Sequence, residues 1–163
     1  MKGDPTTIEF LNKALTNELT AINQYWLHYR VLHHWGVRRL ADYERHESID
    51  EMKHADVLAE RILVLDGLPN FQAINRLKVG ETVEEILRAD LGLEEEAIPL
   101  LREAIAHCET VHDYVSREIF RRILENEEEH VDFLETQFDM IARMGLENYV
   151  QLQSRPADSN EQG

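Results

Sequence analysis

Apolar residues recur every three or four positions through most of this chain, the period of an amphipathic helix. The first stripe reads Ile8, Leu11, Leu15, Glu18, Ile22, Tyr25, Tyr29, Leu32, opened by Asp4 as a cap with Pro5 in the first turn and closed at Gly36. A second stripe, Leu40, Glu44, Glu47, Glu51, His54, Leu58, Arg61, Leu65, belongs to a helix from about Val37 to Asp66, and Gly67-Leu68-Pro69-Asn70 breaks it. The third starts near Thr82 and carries Val83, Leu87, Asp90, Glu94, Ala97, Leu101, Ala104, Cys108 and Val111. A fourth starts near Asp113 and carries Phe120, Ile123, Glu127, His130, Leu134, Gln137 and Ile141, ending at Gly145. Leu146, Tyr149 and Val150 mark a short fifth, C-terminal helix. Residues 67–82 are too many for a tight turn between antiparallel helices, so this segment is expected to cross the length of a bundle. The expectation is an all-α four-helix bundle over residues 1–152, followed by a polar, disordered tail at 153–163.

The stripes are interrupted by charge. Glu51…His54 and Glu127…His130 are two copies of Glu-x-x-His, and Glu18 and Glu94 each stand alone where leucine belongs. Three residues along a helix return to nearly the same face, so each Glu-x-x-His pair can reach one site. Charged side chains rarely enter a helical core unpaired. A glutamate from each of two helices plus Glu-x-x-His from each of the other two is the ligand arrangement of carboxylate di-iron bundles, which share the long crossover. Four carboxylates at −4 balance two divalent cations at +4. Glu51 and Glu127 are expected to bridge the two metals, with Glu18 and His54 completing one and Glu94 and His130 the other. The motif alone is weak: 22 Glu and 8 His make a chance match ordinary, and a third copy stands at Glu109…His112, beside its stripe and without a lone core glutamate to complement it. Six residues in core register carry the reading, and the fold class they imply is ferritin-like.

Composition narrows the class further. With 163 residues the chain is one domain, and 32 Asp+Glu against 17 Lys+Arg give a net charge of −15. That surface disfavours nucleic acid and anionic membranes and attracts cations. No apolar run is long enough to span a membrane, MKGDPTTIEF has no apolar signal core, and the expected location is the cytoplasm. Cys108 is the single cysteine, which excludes an intrachain disulfide and a cysteine-ligated iron domain of the kind carried by rubrerythrin-like peroxidases. A haem electron-transfer protein would not need the six core ligands, and a purely structural bundle would not place four glutamates in its core.

The sequence resembles the bacterioferritins. NELTAINQY at 17–25, HESIDEMKHAD at 46–56, ERILVLDGLPN at 60–70, VHDYVSR at 111–117, EEEHVDFLE at 127–135 and MGLENY at 144–149 follow that family's pattern, from residue 1 to about 152. The resemblance implies a hollow shell of twenty-four subunits, homomeric or mixed with a related subunit, that oxidises Fe(II) with dioxygen or hydrogen peroxide and stores a ferric mineral. Its ferroxidase ligands fall on Glu18, Glu51, His54, Glu94, Glu127 and His130, and Tyr25 resembles the family's tyrosine beside the di-iron site. Met52 resembles the methionine that, one from each of two subunits, ligates a b-type haem at a twofold interface. Leu19, Ile22, Asn23, Trp26, Ile49 and Lys53 are spaced to line the same pocket, Trp26 being bulkier than the family's phenylalanine. His46, Glu47 and Asp50 are candidates for iron binding on the inner surface. The resemblance further implies an iron–sulfur ferredoxin as electron donor for reductive release through the haem. Pro99 departs from the family pattern and is expected to kink or bulge the third helix near Glu95, next to Glu94.

Overall fold

A computed structural model describes residues 1–155. Among these the chain forms five helices: α1 (Pro5–His34), α2 (Arg38–Val64), α3 (Val83–Thr110), α4 (Tyr114–Met144) and α5 (Leu146–Gln153). Side-chain caps set the starts of α1, α3 and α4. Asp4 accepts from the Thr7 amide at 2.8 Å, Thr82 from Glu85 at 3.2 Å and Asp113 from Ser116 at 3.0 Å. Short links make α1–α2 and α3–α4 two antiparallel hairpins, each packed along its length. At the end of α1, Gly36 takes φ +84°, a value that favours a residue without Cβ. The long crossover between the hairpins brings α1 against α3, so the architecture is a ferritin-like four-helix bundle with a short fifth helix.

Three side chains spaced four apart on α1 hold the crossover down. Thr20 Oγ1 accepts from Asn75 N at 2.9 Å, Gln24 Oε1 from Lys78 N at 3.0 Å and His28 Nε2 from Gly80 N at 3.1 Å. At Gly80 the strap meets the first turn of α3 so closely that a Cβ would lie 2.3 Å from the Ile86 amide nitrogen.

The apolar core falls into two parts. One gathers Leu11, Leu15, Leu58, Ile62, Leu101, Ala104, Phe120 and Ile123, with Cys108 packed among them; the other gathers Leu32, Leu40, Val83, Leu87, Leu134 and Tyr149. Along each of α1 to α4 the interrupted part of the stripe lies between them, so the charged residues occupy the bundle's waist. The expected kink site is an exposed one: α3 is helical on both sides of Pro99, and both Pro99 and Glu95 face solvent. The Glu95 carbonyl that loses its helical partner can therefore bond water. α5 extends one residue into the expected tail, and Gln153 is buried. Residues 156–163 of that tail lie outside the described residues.

Candidate metal centre

The six candidate ligands converge into two quartets. Glu18, Glu51, His54 and Glu127 form one and Glu51, Glu94, Glu127 and His130 the other, with ligand atoms in each within 4.8 Å of one another. Glu51 and Glu127 belong to both. His54 Nδ1 lies 3.2 Å from Glu51 Oε2, 3.6 Å from Glu127 Oε1 and 3.6 Å from Glu18 Oε2. His130 Nδ1 lies 3.3 Å from Glu51 Oε1, 3.4 Å from Glu127 Oε2 and 3.4 Å from Glu94 Oε1. Each shared carboxylate thus turns one oxygen to each imidazole, the disposition of a bridge between two cations.

Burial makes the arrangement costly without cations. Glu18, Glu51, Glu94, Glu127 and His130 are all buried. Glu18 Oε2, Glu51 Oε1, Glu94 Oε2 and Glu127 Oε1 have no hydrogen-bond partner, which is the donor set that hard and borderline divalent cations need. Burial, then the charges of Glu127 and Glu18, raises the Glu51 pKa well above its ordinary value. On the histidines burial opposes the charged form, but hydrogen bonds to Glu127 and other carboxylates outweigh it. His54 rises to about 9 and His130 to about 10. The same contacts with His130 and His54 overcome the burial of Glu127 and lower its pKa. Without cations, protons on the two imidazoles take the place of metal charge, and the raised pKa of Glu51 acts in the same direction.

Tyr25, fully buried, donates from its hydroxyl to Glu94 Oε1 at 2.5 Å. Burial, followed by the charge of Asp90, raises its pKa well above 10, so it stays a neutral phenol. A narrow cavity of about 10 Å³, room for roughly one water, reaches Glu18, Glu51, Glu94 and Glu127 from between α1, α3 and the crossover, with exposed Asn75 and Glu96 at its rim.

A third polar group was not singled out from the sequence: His28, Glu44 and Asp90, all fully buried. His28 Nε2 accepts from Gly80 N, so Nδ1 carries the proton and donates to Asp90 Oδ1 at 2.8 Å. Gln24 donates to the same oxygen at 3.1 Å. Both imidazole nitrogens are committed, leaving no lone pair for a cation. Glu44 and Asp90 already stood in their stripes; the residue missed was His28, beside the stripe of α1.

Residues 8–144 match the ferritin-like domain family. Over 161 residues the chain is 51% identical to the bacterioferritin of Brucella melitensis, covering 99% of this chain and all of that protein. It is 48% identical to that of Rhodobacter capsulatus over the same length, and 51% identical over 150 residues to that of Streptomyces coelicolor, 92% of this chain and 90% of that one. The chain belongs to the bacterioferritin family.

Two further groups singled out from the sequence lie apart from the quartets or at their edge. Met52 is exposed on α2 and lines an open groove with Ile22, Asn23, Trp26, Leu27, Arg30 and Ser48; Leu19, Ile49 and Lys53 do not line it. Trp26 packs edge-on against Tyr29, its ring centroid 5.0 Å away. His46, Glu47 and Asp50 do not meet in one cluster. His46 is exposed, its Nδ1 2.7 Å from the Asp42 carbonyl, and half-buried Asp50 faces Lys53. Glu47 is buried, with Oε2 against His130 Nε2. Among the described residues no helix is long and apolar enough to cross a membrane.

Proposed function

We propose that the chain is the ferroxidase subunit of an iron-storage shell, with Glu18, Glu51, His54, Glu94, Glu127 and His130 binding two Fe(II) ions as substrate. The observation that carries this is the pair of quartets sharing Glu51 and Glu127, each bridging carboxylate with one oxygen toward each histidine. Family membership supports iron storage, and the acidic surface favours cation capture. The narrow cavity beside Asn75 and Glu96 gives Fe(II) a route from solvent. Carboxylate-rich ligation favours Fe(III) over Fe(II) and lowers the barrier to oxidation by dioxygen or hydrogen peroxide. With dioxygen the balance is 4 Fe(II) + O₂ + 4 H⁺ → 4 Fe(III) + 2 H₂O, after which iron enters the shell cavity as mineral. Tyr25 holds Glu94 through its hydroxyl, and in this reading it is also a source of an electron for the site. Haem, where bound, would supply electrons for reductive release, drawn in turn from an iron–sulfur ferredoxin. Met52 would hold it from the exposed groove of α1 and α2, one methionine from each of two facing subunits.

Aerobic addition of Fe(II) to the iron-free assembly tests the assignment. A fast rise in ferric absorbance is expected, saturating at about two Fe(II) per subunit and absent in Glu51→Ala and His130→Ala. Oxidation in the wild type no faster than in these variants would rule out the ferroxidase role.

A further inference from the structure

Each ligand histidine turns Nδ1 inward to the carboxylates and Nε2 outward, but the outward partners differ. His130 Nε2 meets the buried carboxylate of Glu47. His54 Nε2 meets the amide of Asn126, with Nδ2 at 2.9 Å. A cation on Nδ1 needs the lone pair there and leaves the remaining proton on Nε2. Glu47 offers that proton a charged acceptor, which makes the imidazole a stronger donor to metal. Asn126 can offer it only a neutral carbonyl, by turning its amide over.

The surroundings reinforce the difference. Glu47 and His130 are both buried. His54 and Asn126 lie at the floor of an open groove of about 590 Å³ between α2 and α4, lined also by Val57, Val115 and Ile119. One histidine is backed by a buried carboxylate; the other is backed by a neutral amide at an open groove.

We propose that Glu47 and Asn126 are positioning residues that make the two cation sites unequal, the Glu94–His130 site binding more tightly than the Glu18–His54 site. The proposal rests on the dinuclear reading of the six ligands. Glu47 accordingly acts in the tight site, apart from His46 and Asp50.

Cobalt(II) is the probe, because it reports its ligands by visible absorption and is not turned over. Titrated anaerobically into the metal-free assembly, with calorimetry in parallel, it should bind in two resolved steps per subunit. Glu47→Gln keeps an acceptor for the Nε2 proton but removes the charge. It should weaken the first step roughly 10-fold or more and merge it with the second. Asn126→Asp should strengthen the second step and leave the first in place. In His54→Ala the tight step and its absorption band should remain; in His130→Ala they should be lost. Shell size and helical content of each variant, checked by scattering and circular dichroism, separate these effects from misfolding. Two-ion binding with both constants unchanged in Glu47→Gln would overturn the proposal while leaving the dinuclear site standing. Binding of fewer than two ions by the wild type would overturn both.

Discussion

Glu44 sits fully buried at the waist of the bundle with no hydrogen-bond partner for either oxygen. Burial first, and then the charge of Asp90, raises its pKa well above the ordinary 4.5. In the unfolded chain the group ionises above pH 4.5, while in the folded chain it keeps its proton. The unfolded state therefore binds fewer protons across that window, and stability falls as pH rises through it. Glu44→Gln removes this dependence while keeping the shape. At pH 8 the variant should unfold at a higher temperature, by about 1 kcal/mol or more, roughly 2–4 °C for a chain of this size; at pH 4.5 the difference should vanish. Thermal unfolding followed by circular dichroism across that range checks it, and a lower Tm for the variant at pH 8 would contradict it. At this scale the sequence marks the burial, because Glu44 stands in a stripe where leucine belongs. It does not mark the partner, because Asp90 of α3 reaches it only where the bundle closes around His28 of α1.

The crossover is held as an element by Thr20, Gln24 and His28, one turn apart on α1, each accepting from a strap amide. The same His28 and Gln24 donate to Asp90 of α3, so the strap, α1 and α3 share one buried network. Gly80 is where this network allows least room, because the atoms that a Cβ would meet are backbone atoms of Glu85 and Ile86, which cannot swing aside. Gly80→Ala should therefore cost about 1–3 kcal/mol and speed amide exchange at Asn75, Lys78 and Gly80. Unchanged exchange there, measured by mass spectrometry, would mean that the strap adapts without loosening. The length of residues 67–82 announces a crossover, and the breaker cluster at 67–70 announces where it begins. The residues that pin it cannot be picked out beforehand. Thr20, Gln24 and His28 lie beside the apolar stripe, and polar residues in that position usually face water.

In the molecule as a whole, protons and cations compete for the same charge. Metal-free, His54 with a pKa of about 9 and His130 with a pKa of about 10 hold protons at neutral pH, and burial pushes Glu51 in the same direction. Loading the site with Zn(II) at pH 7 should release about two protons per subunit from the histidines, and more to the extent that Glu51 is protonated, measurable with an indicator dye in weak buffer. Release of none would mean that the site is already deprotonated. The stability consequence has a definite sign. Histidines with raised pKa values stabilise the folded state below the unfolded value of 6.5, and that contribution is lost as pH rises through about 9 to 10. The metal-free Tm should fall over this window, while the increment produced by Zn(II) should grow.

Periodicity and residue chemistry are local properties, and these the sequence determined by itself. The helices follow from three-and-four spacing and caps, the bundle from the long crossover, and the six converging Glu and His side chains from their place on the apolar stripes. A one-turn repeat says which face a side chain occupies whatever lies opposite. What crosses between helices was decided only by the tertiary structure, because the rotation and offset of one helix against another depend on packing summed over their whole length. That packing sets which oxygen of Glu51 and Glu127 faces which histidine. It brings Asn126 to His54 and Glu47 to His130, residues far apart in the chain whose types alone name no partner. It also leaves Met52 on an open groove and buries Gln153, where the polar sequence alone pointed to solvent.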